Sequence, residues 1–479
     1  IMGFFKLVND IKKHNFEKVF IFNSSLRFNL TAKLAGIKEI YQFPLFEKQN
    51  QPYALPRAVH FDGEVMRVFQ SIGLSSEITS SSLVNKGMLF KDLKSHTLID
   101  WSRSQDIGPM AWYESYRFHQ PDLETALLNG LKRFPNIQTY YDSEVQKVSD
   151  NGKNVTIELT SGEKHISQFV VGCDGAQSAV RELIGEKLMD LGFKQRWLVI
   201  DLVLKNDRPD LGDHTVQICD PDSPMTYVRG TGNRRRWEMR LKDHKLTKIT
   251  PNDVWERLKK WISPEDAKIE RSAIYTFKSS LAKKWSAGNI FLAGDAAHLM
   301  PPFMGQGMCA GIRDVANLSW KLTAVLNGIN KSILETYESE RSPNVREFID
   351  LTVRLGKVIN QTSKTQQETT KMDSIWPSLG PGLGKRSNIE GQLAPQFLLS
   401  ELKKSDDMSP NGFYSLKKQK GRFTSTNVKA WLRNNNIAEA LIRPDGYILE
   451  TISENENENG FNIKNINLSQ ALPARKFFG

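Results

Sequence analysis

The apolar and polar positions of this chain sort into alternating strand and helix signals, and the clearest run is Asn289 to Leu322. Ile290 to Ala293 is a short apolar stretch, the length of one buried strand. Gly294-Asp295 ends it and leaves a carboxylate at the strand's C-terminal end, the edge of an open α/β sheet where ligands sit. Pro301-Pro302 forces an extended turn, and Gly305 and Gly307 let backbone approach something flat or anionic. Met308, Ile312, Val315, Leu318, Leu322 and Val325 then recur at spacings of three and four, which predicts an amphipathic helix. Its N-terminus, with free N–H groups and the positive end of the dipole, points back toward Asp295. A carboxylate that accepts from sugar hydroxyls, beside a helix start that holds negative charge, suits a nucleotide cofactor whose reactive part becomes anionic. A capping Asp295 in a plain core turn is the other reading of the same residues.

The two periods recur along the chain. Between Lys18 and Lys48, VFIF, LRFNLTAKLAG and IKEIYQF read strand, helix, strand, with Gly36 as a helix C-cap. Glu47 closes this βαβ outline where a nucleotide-binding unit places a ribose-binding acid. A helix starts within Phe118 to Glu124, with Pro121 and an acid in its first turns. Ile137 to Val171 alternates and is cut by turn signals at Asp150 to Gly152 and at Ser161-Gly162, which predicts a small antiparallel meander. Phe169 to Gly172 is a further buried strand, followed by an Asp174-Gly175 turn and a helix. Between about 186 and 278 the chain is richer in Trp and Arg, with RRRWEMRL its clearest strand.

Length predicts two or three domains for 479 residues. The net charge of +11 raises nucleic acid or a membrane surface as partners. Lys and Arg are scattered, however, with Arg234-Arg235-Arg236 the one tight triplet. The excess therefore reads as a solvated surface that favours an anionic substrate, with no nucleic-acid or membrane partner. Cys173, Cys219 and Cys309 show neither CxxC nor metal-ligand spacing, which predicts a reducing compartment and no metal site. No apolar run approaches the roughly 18 residues of a spanning helix. Ile1 to Leu7 is too short for a signal peptide, and the start at Ile suggests a fragment. The expected location is the cytoplasm.

Three strings in order, LPRAVHFDGEVMRVFQSIGL, FVVGCDGAQSAVR and NIFLAGDAAHLMPPFMGQG, resemble the class A flavoprotein aromatic hydroxylases. The tail segments GQLAPQ and EALIRPDGYILE point to the 3-(3-hydroxyphenyl)propionate hydroxylase branch. The resemblance implies an α/β (α+β) architecture: a Rossmann-like FAD-binding domain, an inserted β-sheet substrate domain and a C-terminal thioredoxin-like domain. The expected boundaries are an atypical N-terminal segment at 1–50 and the FAD-binding domain at 51–185 and 279–359. The substrate sheet then takes 186–278, a linker 360–390 and the cysteine-free C-terminal domain 391–479.

The resemblance also implies cofactors and site residues. NAD(P)H reduces the flavin, O₂ adds at C4a, and the hydroperoxide passes an oxygen atom to a phenol. Asp295 binds the ribityl chain, and the backbone of Pro302, Gly305, Gln306, Gly307 and Met308 lies along the flavin. Arg57, Gln120 and Asp174 complete the cofactor set, with a helix expected to begin near Asp62. His298 is carried as a candidate for the catalytic pocket against a structural reading, and no side chain stands out as the base that deprotonates the phenol. The phenol itself, NADH against NADPH, and a homo-oligomer against a monomer stay open.

One departure is plain. The turn Asn23 to Phe28 has no glycine where the family carries GxGxxG, the glycines that let backbone reach a pyrophosphate. The only nominal GxGxxA, Gly305 to Ala310, follows Pro-Pro rather than a strand. Residues 1 to about 50 weakly resemble a heptosyltransferase-type sugar transferase. This leads to the hypothesis of a chimeric or truncated N-terminus, to be tested by sequencing the source gene across codons 40 to 60. The alternative function is an inactive or FAD-poor remnant of a hydroxylase fused to a sugar-transferase fragment.

Overall fold

The computed structural model describes residues 19–22, 43–51, 54–243, 246–360, 370–372, 375–384, 389–400, 403–408, 412–417 and 426–453. The glycine-free turn at 23–28 and the expected helix after it lie outside the described residues.

A six-stranded sheet organises the molecule, in the order Ser286–Ala287, Ile290–Leu292, Phe169–Gly172, Val19–Phe22, Phe43–Phe46, Ile137–Tyr140. Five of these strands run parallel, and only Ser286–Ala287 opposes its neighbour. Parallel strands are covered on both faces, so they are continuous apolar runs rather than alternating ones; Val170, Val171 and Leu292 have no exposed surface. The register decides the site. Phe46, Phe22, Gly172 and Leu292 lie in one row across four strands. The chain therefore leaves the sheet at Glu47, at Cys173-Asp174 and at Ala293-Gly294 along a single edge. Gly172 also lets the short helix Ala179–Leu183 lie against the strand, since a Cβ there would meet Val180 Cβ at 2.8 Å.

Two sequence expectations change here. Ile137–Tyr140 is not part of the meander but the sixth strand of the parallel sheet; the antiparallel meander is Val145–Asp150, Val155–Leu159 and Lys164–Ser167. The second strand of the N-terminal unit is Phe43–Phe46, later than IKEIYQF suggested.

The second large sheet has nine strands, built on Leu188–Leu204 between Ala267–Ala282 and Arg234–Leu241. It also recruits Gly87–Lys91 and Thr97–Ser102, which the sequence had placed in the cofactor domain, and Thr370–Lys371 from the expected linker. Period-two alternation gives this sheet two faces. Leu198, Ile200, Leu202, Trp237 and Met239 pack on Val254 and Leu258 of the helix Pro251–Leu258. Val199, Arg236 and Glu238 therefore point the other way, toward the cofactor domain.

The C-terminal unit is a three-stranded antiparallel sheet, Tyr414–Lys417, Ile437–Ile442 and Ile448–Ser453, with Val428 and Leu432 of the helix Thr426–Asn434 packed on it. Buried charges pin it to the rest of the chain. Arg443 donates to Glu340 at 2.8 and 3.0 Å, Asp445 accepts from Asn317 and Trp320 at 3.1 Å, and Tyr447 donates to Glu64 at 2.9 Å. The three cysteines are buried and form no disulfide. Among the described residues no helix is long and apolar enough to cross a membrane.

Candidate functional site

After Leu292 the chain turns at Gly294, whose φ of 62° is the left-handed conformation glycine accepts without cost. The turn is tied down from below. Asp314, on the helix Gly307–Leu326, accepts from Gly294 N at 3.0 Å, from Arg341 Nε at 2.9 Å and pairs with His298 Nε2 at 2.6 Å. Burial pushes the Asp314 carboxyl up, but His298 and Arg341 outweigh it and hold the group below the usual range. Asp295 is thereby directed into a cleft, open to its water yet surrounded by protein, and that low-dielectric surround raises its pKa.

This corrects the expectation for His298. Its ring lies behind the turn, 1% exposed, tilted against Trp285 and bonded to Asp314, and it is not among the residues lining the cleft. Its place is structural: it holds the charge that holds Gly294.

The second turn meets the first. Asp174 accepts from Ser178 Oγ and, at 2.9 Å, from Val180 N, so its carboxylate is engaged by its own loop and helix. It is Gly175 and Ala176, not the Asp174 side chain, that line the cleft. Arg181, to which the sequence assigned no role, donates to Ala296 O at 2.9 Å and to Ala176 O at 3.0 Å, locking the two turns together.

The Pro-Pro loop forms the adjoining wall. Pro302–Met304 is a single 3₁₀ turn closed by Gly305 at φ 65°. A Cβ on Gly305 would lie 2.9 Å from His60 Nδ1, so only glycine fits both the conformation and the contact. Gly307 then opens the helix Gly307–Leu326 with its N-terminus at the cleft. Gln306 faces inward: it donates to Asp62 at 3.1 Å and accepts from Arg313 at 2.9 Å. Asp62 caps the helix Gly63–Ser71, as expected, by accepting from Val65 N at 3.0 Å. Gln120 begins the helix Gln120–Leu131, and its Oε1 accepts from Arg57 N at 3.1 Å and Ala58 N at 2.8 Å, fixing the loop that carries Arg57.

These pieces enclose a cavity of about 510 Å³ between the parallel-sheet edge and the nine-stranded sheet, within the roughly 300–1,000 Å³ of small-molecule sites. Of the expected residues, Arg57, Gln120, Asp295, Pro302, Gly305, Gly307 and Met308 line it; Asp174, Gln306 and His298 support it from behind. Sequence reasoning missed the opposite wall. Arg236 is buried there, donating to Asp201 at 2.6 Å and to Arg57 O at 2.7 Å, and Arg271 donates to the other oxygen of Asp201 at 2.9 Å. Arg117 contacts Thr215 Oγ1, and its buried Nε has no partner among the described residues; burial pushes its pKa down to about 10. His60 pairs with Ser115 Oγ at 2.8 Å and Gly305 O at 3.2 Å, and burial lowers it to about 4, so the ring is neutral. A neutral ring bonds the carbonyl of Gly305 through an Nδ1 proton and accepts from Ser115 at Nε2. The signal for Arg236 and Glu238 was present in RRRWEMRL, where alternation sets them opposite Trp237 and Met239.

Comparison with known proteins agrees with this geometry. A family profile described as FAD binding domain matches residues 33–352. A probable NADH-specific resorcinol 4-hydroxylase of Rhodococcus jostii (strain RHA1) is 35% identical over 376 residues, covering 74% of this chain and 70% of that protein. The 3-(3-hydroxy-phenyl)propionate/3-hydroxycinnamic acid hydroxylase of Mycolicibacterium smegmatis is 34% identical over 328 residues, covering 67% of this chain and 57% of the relative. The chain thus spans little more than half the length of that relative. Aklavinone-11 hydroxylase in a ternary complex with FAD and aklavinone superposes with a TM-score of 0.79 over 96% of this chain and 99% of the other, at 17% identity. The flavin-dependent monooxygenase PieE gives 0.75 over 91% and 96%, at 15% identity, and likeness at such identities speaks for the fold. With the profile matching most of its length and relatives above 30% identity, the chain belongs to the FAD-binding family of flavoprotein aromatic hydroxylases.

Proposed function

We propose that the protein is an FAD-dependent monooxygenase that hydroxylates a phenolic acid of the hydroxyphenylpropionate type with NAD(P)H and O₂. The observation that carries this reading is the row of strand ends, which brings the turns at Asp295 and Gly175 to one cavity opposite a cationic sheet face. The residues present fit a flavin. A Cβ at Gly175 would meet nothing within 4 Å, and one at Gly307 nothing nearer than Met300 Cγ at 3.9 Å, so bare backbone faces open space on two sides. Asp295 would hold the ribityl chain, and the backbone from Pro302 to Met308 the ring system. Arg57, positioned by Gln120, and the loop shaped by Asp174 would complete the set, with Glu47 at the sheet edge for the ribose. When bound, the flavin supplies the redox chemistry, taking electrons from the nicotinamide and activating oxygen.

The chain's own part is to bind, orient and exclude water. The N–H groups of the helix start at Gly307 favour negative charge at the ring system. Burial of the cavity behind two sheets keeps bulk water from the reacting atoms. On the far wall Arg236 and Arg271 are already paired to Asp201, whereas Arg117 lines the cavity with no carboxylate in salt-bridge contact among the described residues. Arg117 is therefore the cation for the substrate's carboxylate.

Arg117→Met is expected to raise KM for a hydroxyphenylpropionate by about tenfold to a hundredfold, the worth of a hydrogen bond to a charged group at roughly 1.5–3 kcal/mol. KM for resorcinol, which has no carboxylate, should stay within about threefold. Steady-state kinetics on both substrates decide it, and an equal rise for both would contradict the assignment.

A further inference from the structure

The hydroxylase reading leaves the substrate's hydroxyl proton without a destination, and the cavity contains one carboxylate that the cofactor set does not use. Only Asp295 and Glu238 are carboxylates among the lining residues, and Asp295 belongs to the strand-end turn. Glu238 stands on the sheet wall across from it. Strand alternation turns it to the cavity while Trp237 and Met239 enter the core behind. Its Oε1 is 3.7 Å from Arg236 NH1, beyond hydrogen-bond reach, because that guanidinium is spent on Asp201 and on the carbonyls of Arg57 and Pro56. Among the described residues no donor hydrogen-bonds its carboxylate. Of the other groups on the wall, His60 has both ring nitrogens engaged, and the Tyr275 hydroxyl accepts from Arg271 at 3.0 Å.

We infer that Glu238 is the catalytic base that takes the hydroxyl proton of the phenolic substrate. The inference rests on the hydroxylase reading above. In the step, the phenol O–H bond breaks, its electron pair stays on oxygen, and the proton forms an O–H bond on a Glu238 oxygen. No oxidant takes part. The phenolate enriches the ring carbons ortho and para to it, which are the carbons that accept the new oxygen. The wall loses one negative charge and the substrate gains it, so the net charge of the two together is unchanged. The charged groups that face Glu238 are Arg236 on its own strand, Asp201 on the neighbouring strand Leu188–Leu204, Arg271 on the strand Ala267–Ala282 beyond it, and Arg117 from the segment Ser115–Arg117. Burial and Asp201 raise its pKa, the three arginines lower it, and the balance lies above the ordinary value, which brings a carboxylate closer to the range useful for a base at neutral pH.

The test is steady-state hydroxylation by the FAD-loaded protein from pH 5 to 9, with a hydroxyphenylpropionate and ring-fluorinated analogues whose hydroxyls are progressively more acidic. Wild-type turnover should rise through one ionisation whose midpoint is the same for every phenol. Glu238→Gln should lower kcat by about a hundredfold with KM within a few-fold, lose that limb, and recover as fluorination makes the hydroxyl more acidic. Glu238→Asp should keep the limb at a lower rate. A Glu238→Gln variant that keeps the wild-type limb, or that loses the same factor for every phenol whatever its acidity, would overturn the assignment. Should that variant fail to retain FAD, the wild-type series decides: a midpoint that tracks each phenol's own pKa, or no pH dependence, overturns it. Wild-type protein whose NADH oxidation no phenol stimulates overturns the hydroxylase reading itself, and this inference with it.

Discussion

Asp295→Ala is expected to give a protein that folds and does not keep FAD. Two charge-assisted hydrogen bonds from ribityl hydroxyls, at roughly 1.5–3 kcal/mol each, correspond to an affinity loss of about a hundredfold or more. The fold should be indifferent. Asp295 is open to the cleft, and the turn beneath it is fixed through Gly294 N, Asp314, Arg341 and His298 rather than through the Asp295 carboxylate. The sign of the stability effect runs opposite to the binding effect. Burial in the cleft raises the Asp295 pKa above its unfolded value. An acid raised on folding is protonated in both states at low pH and costs stability as pH rises past its unfolded pKa. The alanine variant without FAD should therefore melt no lower than wild type at pH 7, while at pH 3 the two converge. Fluorescence titration with FAD and melting of the apoproteins measure both. A variant that binds FAD like wild type would remove Asp295 from the cofactor site, and a large fall in apoprotein melting temperature would make it a structural residue.

The second large effect lies away from the cavity. Glu340→Ala is expected to destabilise the protein by about 3–5 kcal/mol, the cost of removing one partner from a buried ion cluster. Glu340 is 1% exposed and accepts from Lys321 at 2.8 Å, Arg443 at 2.8 and 3.0 Å and Asn317 at 2.9 Å. Without it, Lys321 and Arg443 remain buried together with only Asp445 to offset them. Burial pushes the Glu340 carboxyl up, but Arg443 and Lys321 outweigh that and hold it far below the usual carboxylate range. Its folded pKa is thus depressed, so the stability it contributes is present above its unfolded value near 4.5 and is lost as pH falls below that. Because Arg443 sits on the C-terminal hairpin and Glu340 on the helix Thr336–Ile359, the acid limb should appear as undocking of the C-terminal unit. Denaturant melts at pH 7 and pH 4 check this: the gap between wild type and Glu340→Ala should narrow at the lower pH. An equal gap at both would deny the linkage.

Much of this site could be read from the chain because its two turns are local. An apolar run, a Gly-Asp or Asp-Gly break and apolar residues at spacings of three and four are signals written within about thirty residues, and both strand ends and the helix Gly307–Leu326 stand where they predict. What the sequence misplaced depends on contacts distant in sequence. The sequence carries His298 as a candidate for the pocket against a structural reading. Instead the 3₁₀ turn Gly294–Ala296 sends the chain into a strand paired with Ser280 and Leu281, and the ring ends up behind the turn. Gly87–Lys91 and Thr97–Ser102 fall within the stretch 51–185 assigned to the cofactor domain, and only their pairing to Thr215–Ile218 and Thr370–Lys371 shows which sheet they join. In RRRWEMRL alternation separates Arg236 and Glu238 from Trp237 and Met239. It cannot say which face meets the cavity until the helix Pro251–Leu258 is seen covering the other.

On the proposed function, this chain holds FAD at the joined turns although Asn23 to Phe28 offers no glycine to a pyrophosphate. The most direct measurement is the visible absorption spectrum of the purified protein after desalting, with and without added FAD. Flavin bands are expected that survive desalting or return in stoichiometric amount on adding FAD, and that are lost in Asp295→Ala. A colourless protein that takes up no added FAD would contradict it, and would leave the turns at Asp174 and Asp295 as inherited architecture without a working cofactor site.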